Sequence, residues 1–135
     1  MSKAQREEFL AGVHIGVMGI ARPGGPPLTV PVWYQYEPGG DVRVQMSPDS
    51  VKFRLVDAVR EFSLVVQVET PPYRYVSVSG PVVAVERDTS HADLLSMAHR
   101  YFDRDAAVDY VETIKDEAIV TLHMRPQRWY STDYG

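Results

Sequence analysis

The chain has 135 residues, a length typical of one domain, and its formal net charge of -4 gives no basic excess for a nucleic-acid footprint. Hydrophobic residues make up 44% of the sequence and charged residues 24%, as in ordinary soluble globular proteins, and no apolar run approaches the ~18 residues of a membrane span. The absence of cysteine excludes disulfides, thiol catalysis and cysteine-ligated metals. We therefore expect a single domain over 1–135, and the charged N-terminal stretch without a signal-peptide core predicts a cytoplasmic protein.

The spacing of the apolar residues predicts six strands and four helices. In chain order these are helix 5–12, strands 13–21, 28–36 and 41–45, helix 48–58, strands 61–69 and 73–85, helices 88–102 and 105–115, and a last strand over 118–130. The Gly80-Pro81 pair interrupts the fifth strand and predicts a bulge. Long strands with glycine kinks, mostly in hairpins, favour a mainly β fold, a small six-stranded antiparallel barrel with short flanking helices.

The stretch from Leu28 to Leu55 contains the most informative chemistry. Two predicted strands flank the turn residues 37–41, and a helix follows with Ser47 as its predicted N-cap and Pro48 at its first position. A helix N-terminus carries unpaired N–H groups and partial positive charge, and Ser50, Lys52 and Arg54 add a hydroxyl and two cations. This junction is therefore a candidate phosphate seat.

A simpler interpretation of the same junction stays open. The serines would only cap the helix, the two cations would be solvated, and Asp49 would already complement the helix dipole and repel an anion. The four histidines show no metal-binding spacing, and no nucleophile elbow or phosphate-binding glycine loop is present. Any catalysis is therefore expected to depend on a bound cofactor.

Three segments in this order, PVWY, SPDSVKFRL and YVSVSGPV, resemble the pyridoxamine 5′-phosphate oxidase-like split β-barrel superfamily. The resemblance spans about residues 5–130 and is greatest to the small flavin and deazaflavin (coenzyme F-420) oxidoreductases. It implies a homodimer with two cofactor sites at the subunit interface. It also implies FMN or coenzyme F-420 as the cofactor and a small organic molecule as the substrate.

The resemblance further implies which residues bind the cofactor. The phosphate would be held at the junction after the third strand, and the ring would lie along the second and third strands. The implied contacts are Ser47, Ser50 and Lys52 with Arg54 as a helper for the phosphate, and Pro31, Val32, Trp33, Gln45 and Met46 for the ring. Counterparts of the further substrate-phosphate residues of the pyridoxal-forming oxidases are missing, so pyridoxamine phosphate oxidation is not expected.

Four aromatic residues have two readings each. Trp33 is a ring contact or a core or interface residue, and Tyr73 and Tyr75 reach the partner's site or form an interface pair. Trp129 covers a cofactor edge or packs on its strand. We expect no metal.

Three functional hypotheses remain open at this point. The first is an oxidoreductase that transfers a hydride between FMN or coenzyme F-420 and a small substrate. The second is a non-catalytic dimer that binds or sequesters a flavin, a haem-type or another anionic ligand. The third, a cofactor-free structural dimer, is disfavoured by the serine and lysine junction. The acidic tail of the deazaflavin would need a longer basic groove, which Lys52, Arg54, Arg60 and Arg22 could supply, whereas FMN needs only the compact phosphate seat.

Overall fold

A computed structural model describes residues 1–135, with seven strands and four helices. The elements are α1 (Lys3–Ala11), β1 (Gly16–Ile20), β2 (Leu28–Val32), β3 (Val42–Met46), α2 (Val51–Val59), β4 (Glu61–Val68), β5 (Arg74–Arg87), α3 (Ala92–Tyr101), α4 (Arg104–Thr113), β6 (Val120–Met124) and β7 (Arg128–Asp133). No helix is long and apolar enough to span a membrane.

The strands form a curled antiparallel sheet in the order β2-β1-β4-β5-β6-β3, and β7 pairs with β5. The 14 residues of β5 are long enough to serve two half-sheets. Its first half pairs with β4 and β7, and its second half pairs with β6. This arrangement confirms the predicted mainly β, antiparallel split-barrel class.

The bend of β5 lies where the chain crosses from one half-sheet to the other. A Cβ atom on Gly80 would lie 1.8 Å from the carbonyl oxygen of Arg125, so only glycine allows this close approach of the β6–β7 corner. The bulge itself falls at Val83, because Val82 faces Met124 and Ala84 faces His123. The predicted position of the bulge is therefore wrong by two residues. Gly80 makes a close backbone contact, and the extra residue of the bulge is Val83.

The last predicted strand, 118–130, is in fact two strands. Pro126 has no N–H to donate, and the chain turns there instead of continuing one ladder. Arg125 donates from its backbone N–H to Pro81, and Gln127 donates to Ser79, at 2.9 Å each. After this turn the chain pairs with a different part of β5: β6 pairs with its second half and β7 with its first half.

The second and third strands do not form the predicted hairpin ladder. β2 pairs with β1 along its whole length, and β2 and β3 are joined only by the bridge between Gln35 and Arg43. This bridge has backbone hydrogen bonds of 2.9 and 3.0 Å. Beyond it the two strands diverge, which leaves a split in the barrel wall.

The barrel interior is filled by side chains that alternate along each strand. Val42, Val44 and Met46 of β3 point inward, and Arg43 and Gln45 point outward. Helix α1 closes one end with Phe9 and Leu10. The buried Tyr34 hydroxyl donates to the carbonyls of Leu10 at 2.6 Å and Gly12 at 3.1 Å, which satisfies acceptors at the end of α1. Burial raises the pKa of Tyr34 far above its usual value, so the hydroxyl stays protonated.

Helices α3 and α4 pack against each other outside the barrel core. Leu94, Met97, Ala98 and Ala107 are buried but lie outside the barrel core cluster. Helix α3 starts at Ala92, four residues after the predicted start at Asp88. The Asp88 carboxylate nevertheless accepts hydrogen bonds from the N–H groups of Asp93 at 3.1 Å and Leu94 at 2.8 Å, so it satisfies the first turn.

Candidate functional site

A cleft of about 300 Å³ lies beside the split in the barrel wall, where β2 and β3 diverge. Its volume is at the lower end of the range of cofactor sites. The helix pair α3–α4 forms its opposite wall. The lining residues are Ile15, Pro31, Val32, Trp33, Gln45, Lys52, Leu94, Met97 and Tyr110. Five of these, Pro31, Val32, Trp33, Gln45 and Lys52, are among the twelve residues that the sequence predicts for the cofactor site.

Lys52 is the only charged residue in the lining. It occupies the second position of α2 and is half-buried. None of the ion pairs in the structure involves it, so its ammonium group is available to an anion. An unpaired ammonium group in a largely apolar cleft favours a ligand with one anionic end.

The junction before α2 is built differently from the sequence prediction. Ser50, not Ser47, is the N-cap: its hydroxyl accepts from the N–H of Phe53 at 3.2 Å and donates to the carbonyl of Ser47 at 2.8 Å. The Ser47 hydroxyl accepts from the N–H of Asp49 at 3.2 Å. The chain at Pro48 is still in a turn, because the Ser50 cap fixes the start of the helix three residues later. The Ser50 hydroxyl therefore both donates and accepts locally, whereas the Ser47 hydroxyl accepts one local bond and keeps its proton free to donate.

An aromatic cluster forms the wall between β2 and the helix pair. The Trp33 ring stacks on the Tyr101 ring at a centroid distance of 5.0 Å and meets Phe102 edge-on at 5.0 Å. Tyr110 lies 5.4 Å from Trp33 and also lines the cleft. The Tyr101 hydroxyl contacts the backbone at both sides of the cluster, because it lies 2.7 Å from the carbonyl of His14 and accepts from the N–H of Tyr34 at 3.1 Å.

The polar part of the lining is Gln45, which points outward from β3 beneath α3. Its amide nitrogen donates to the hydroxyl of Thr121 at 3.2 Å and to the carboxylate of Asp88 at 3.5 Å. Its amide oxygen is buried and has no hydrogen-bond partner in the protein. A buried acceptor without a partner is costly, and a bound water or ligand is one way to supply the missing donor.

The other predicted site residues lie away from this cleft. Met46 points into the barrel core, and Arg54 is exposed on α2. Trp129 packs against Tyr36 and lies under the Arg6 guanidinium at 4.7 Å, in a different hollow. Tyr73 is exposed just before β5, and Tyr75 accepts from the hydroxyl of Thr132 on β7. The structure therefore brings together the strand residues and Lys52, but not the aromatic residues of β5 and β7.

The sequence analysis did not identify the residues that α3 and α4 contribute. Leu94, Met97 and Tyr110 complete the cleft, and Ile15 stands at its mouth with 54% exposure. The first three occupy an ordinary amphipathic helix pattern, which does not distinguish core contacts from cleft contacts. Ile15 directly precedes Gly16, and a glycine within a predicted strand was the one available signal of a close approach at this position.

The residues of the cleft fit a flat ring that carries an anionic group. Pro31, Val32 and Trp33 give an apolar wall of the kind that aromatic ligands bind, and Lys52 provides a cation. The unpaired oxygen of Gln45 provides an acceptor for a polar ring edge. A flavin or deazaflavin that bears a phosphate combines these three features.

Solved structures of flavin and deazaflavin proteins share this architecture at low sequence identity. An F420 reductase aligns with a TM-score of 0.74 and 23% identity over 92% of this chain and 94% of that one. A FAD-binding protein from Mesorhizobium loti aligns with a TM-score of 0.60 and 18% identity over 97% of this chain and 94% of that one. A candidate pyridoxamine 5′-phosphate oxidase from Listeria innocua aligns with a TM-score of 0.62 and 12% identity over 94% of this chain and 97% of that one.

No protein-family model and no curated protein matches the sequence. The structural matches extend over nearly the whole chain, and they include both a pyridoxamine 5′-phosphate oxidase relative and an F420 reductase. The chain therefore shares the split β-barrel fold of these solved structures.

Proposed function

We propose that this protein is an oxidoreductase that binds FMN or coenzyme F-420 in the cleft beside β2 and β3. The observation that carries the proposal is the unpaired Lys52 in a cleft that is otherwise uncharged. A cation alone would suit many anions, but here it stands with an aromatic and aliphatic wall. The proposal thus rests on the combination of a phosphate partner and a ring partner in one cavity.

Each part of the proposed site has a distinct task. The ammonium group of Lys52 binds the phosphate of the cofactor, and Pro31, Val32 and Trp33 hold the ring against β2. Tyr110 of α4, together with Leu94 and Met97 of α3, excludes water from the opposite side. Exclusion of water strengthens the attraction between Lys52 and the phosphate.

When bound, the cofactor would supply hydride transfer with a small unsaturated or quinone-like substrate, which would exchange its proton with solvent. The lining contains no carboxylate and no imidazole. The protein's own contribution would then be orientation of the two reactants rather than proton transfer. Several substrates are compatible with this division of tasks. The reaction type is determined by the cofactor that the cleft binds.

The remaining predicted phosphate contacts have secondary tasks in this proposal. Because the Ser50 hydroxyl both donates and accepts locally, it would act mainly by holding the backbone of the junction in place, whereas the free proton of the Ser47 hydroxyl could be donated to the phosphate. Arg54 is exposed on α2 and would attract the acidic tail of coenzyme F-420 rather than bind the phosphate. Met46 would support β3 from the core side.

The proposal includes a homodimer with the cofactor sites at the interface. Val17 on the outer face of β1 is 37% exposed, and Ile15, just before this strand, is 54% exposed and also lines the cleft. A second subunit packed on this face would cover apolar surface next to the cofactor. Tyr73 and Tyr75, which lie away from the cleft of their own chain, would contact a cofactor only in the partner's site, whereas Trp129 would stay packed in its own hollow beside Arg6.

The first experiment is a fluorescence titration of the purified protein with FMN and with coenzyme F-420. We expect saturable binding of at least one of them. In Lys52→Ala the affinity should fall about tenfold to a hundredfold, as expected for loss of one charge-assisted hydrogen bond. Lys115→Ala is the matched control, because it removes the same charge from an exposed lysine that pairs with Glu112 outside the cleft.

The two variants make the outcome specific. Equal weakening by both substitutions would mean that overall charge, not the cleft, attracts the ligand. Failure of both cofactors to bind would contradict the proposal.

Sedimentation of the wild type and of Val17→Arg tests the dimer. We expect the wild type to be a dimer and the substitution to shift it toward monomer. A monomeric wild type would contradict the proposed dimer.

The same lining also favours a second function, that of a non-catalytic carrier for the same ligands. The observation in its favour is the absence of a carboxylate or imidazole from the cleft. The two functions differ in turnover. Reduction of a panel of quinones and activated alkenes by the cofactor-loaded protein would support the oxidoreductase, whereas tight binding without reaction would support the carrier.

A further inference from the structure

The unpaired oxygen of Gln45 belongs to a partly buried polar cluster between the barrel and α3. The cluster joins four residues of different elements: Gln45 of β3, Asp88 before α3, Asp93 in the first turn of α3, and Thr121 of β6. Asp88 and Thr121 are almost completely buried, at 6% and 2% exposure. The bonding requirements of such a cluster determine how its members are oriented.

The hydrogen-bonding neighbours of Gln45 determine whether the oxygen or the NH2 group of its amide faces them. The Thr121 hydroxyl donates its only proton to the carboxylate of Asp93 at 3.1 Å, so toward Gln45 it can only accept. The Asp88 carboxylate is also an acceptor, and it already binds the N–H groups of Asp93 and Leu94. Two acceptors therefore face one side of the amide, and that side must be the NH2 group.

This arrangement directs the amide oxygen away from the cluster. If the amide were turned around, its oxygen would lie against the Asp88 carboxylate and the Thr121 oxygen, and all three would repel one another. The oxygen is instead left buried without a partner. Gln45 is also a lining residue of the cleft, so a ligand there is the available source of a donor.

We propose that Gln45 is a specificity residue whose amide oxygen accepts a hydrogen bond from an N–H group at the edge of the ligand ring. This inference rests on the proposed function and names the ring chemistry that the cleft selects: a planar heteroaromatic ring with an imide-type N–H, which flavins and deazaflavins both carry. Asp88 and Thr121 are positioning residues that hold the amide in its orientation. Ligand entry displaces the side chains that shield the oxygen from solvent.

The test removes the donor from the ligand rather than the acceptor from the protein. FMN and 5-deaza-FMN are compared with their derivatives methylated at the imide nitrogen, by fluorescence titration of the wild-type protein. We expect each methylated ring to bind at least about tenfold more weakly than its parent, because the oxygen of Gln45 then stays unpaired. Equal binding of parent and methylated ring would overturn the inference while leaving the proposed function intact.

Protein variants then identify the residue responsible. Gln45→Met keeps the length of the side chain but lacks the acceptor, so it should bind both parents more weakly and lose most of the preference over the methylated rings. Gln35→Met is the matched control, since it makes the same change at another half-buried glutamine, which donates to Ser96 and does not line the cleft. It should keep the full preference.

Two further outcomes count against the inference. An undiminished preference in Gln45→Met, with unchanged thermal unfolding, would mean that another group recognises the N–H. Failure of all four rings to bind the wild-type protein, when coenzyme F-420 also fails, would contradict the proposed function and the inference together. Binding of the rings without discrimination contradicts the inference alone.

Discussion

The ring of Trp33 lies parallel to the ring of Tyr101, with the centroids 5.0 Å apart and the planes 7° apart. Trp33 follows β2, and Tyr101 ends α3, so this contact joins the barrel wall to the helix pair that faces it. The Tyr101 hydroxyl adds hydrogen bonds to the backbone of His14 and Tyr34. This pair of side chains thus holds the barrel wall and the helix pair at a fixed distance across the cleft.

The Tyr101→Phe substitution should loosen the helix pair more than the barrel. It keeps the ring stack but removes the hydroxyl and leaves backbone groups unpaired, so we expect a loss of about 1–3 kcal/mol in the free energy of unfolding. Hydrogen exchange should increase more over 92–113 than over 61–68. Tyr110→Phe is the control, because the Tyr110 hydroxyl has no hydrogen bond within the protein; a uniform increase over the whole chain would contradict this prediction.

Ligand binding in the cleft should change the fluorescence of Trp33 and not that of Trp129. Trp33 lines the cleft, and Trp129 lies in a separate hollow beside Arg6. Ligand binding should therefore still quench the emission of Trp129→Phe, in which Trp33 remains. The quench should be largely lost in Trp33→Phe. The reverse pattern would place the ligand in the hollow of Trp129 instead.

The Gly80→Ala substitution should strongly destabilise the barrel. The new methyl group would meet the Arg125 carbonyl oxygen at 1.8 Å, and this neighbour is backbone that cannot rotate away. We expect the free energy of unfolding, measured by urea denaturation, to decrease by about 3 kcal/mol or more. Gly19→Ala is the matched control in another strand, since its nearest neighbour would lie at 3.9 Å, and it should change stability by less than about 0.5 kcal/mol.

His14 should make stability fall at mildly acidic pH. Burial is the largest cause that lowers the pKa of this imidazole below its ordinary value of 6.5, although its hydrogen bond to the Phe9 carbonyl acts in the opposite direction. Below pH 6.5 the unfolded chain therefore binds a proton that the native protein does not yet bind. The free energy of unfolding then decreases as the pH falls from 6.5 toward the native pKa.

The comparison of wild type with His14→Gln isolates this effect from the other titrating groups. Urea unfolding between pH 7.5 and pH 5 should show a steeper decrease for the wild type. Above about pH 7 the difference between the two proteins should not change with pH, because His14 is then neutral in both states. Parallel curves over the whole range would mean that His14 titrates equally in the native and unfolded chains.

The sequence determined most of the strands and helices and half of the cleft. Alternating apolar residues identified β3, β4 and β5, because the period of two is a local property of a half-buried strand. Lys52 was predicted as a site residue from the chemistry of the helix junction, whereas Trp33 and Gln45 were predicted from the family resemblance; all three line the cleft. The start of α2 was predicted at Pro48 and lies at Val51, since the choice between two serine caps depends on geometry beyond the local pattern.

Only the tertiary structure decided which strands pair and what faces the cleft. β2 pairs with β1 rather than with β3, and the split that results is a property of the whole sheet. The role of Gln45 depends on Asp88 and Thr121, which are 43 and 76 residues away in the sequence. No local pattern carries such long-range contacts, because hydrogen-bond partners are chosen by the packing of elements that are distant along the chain.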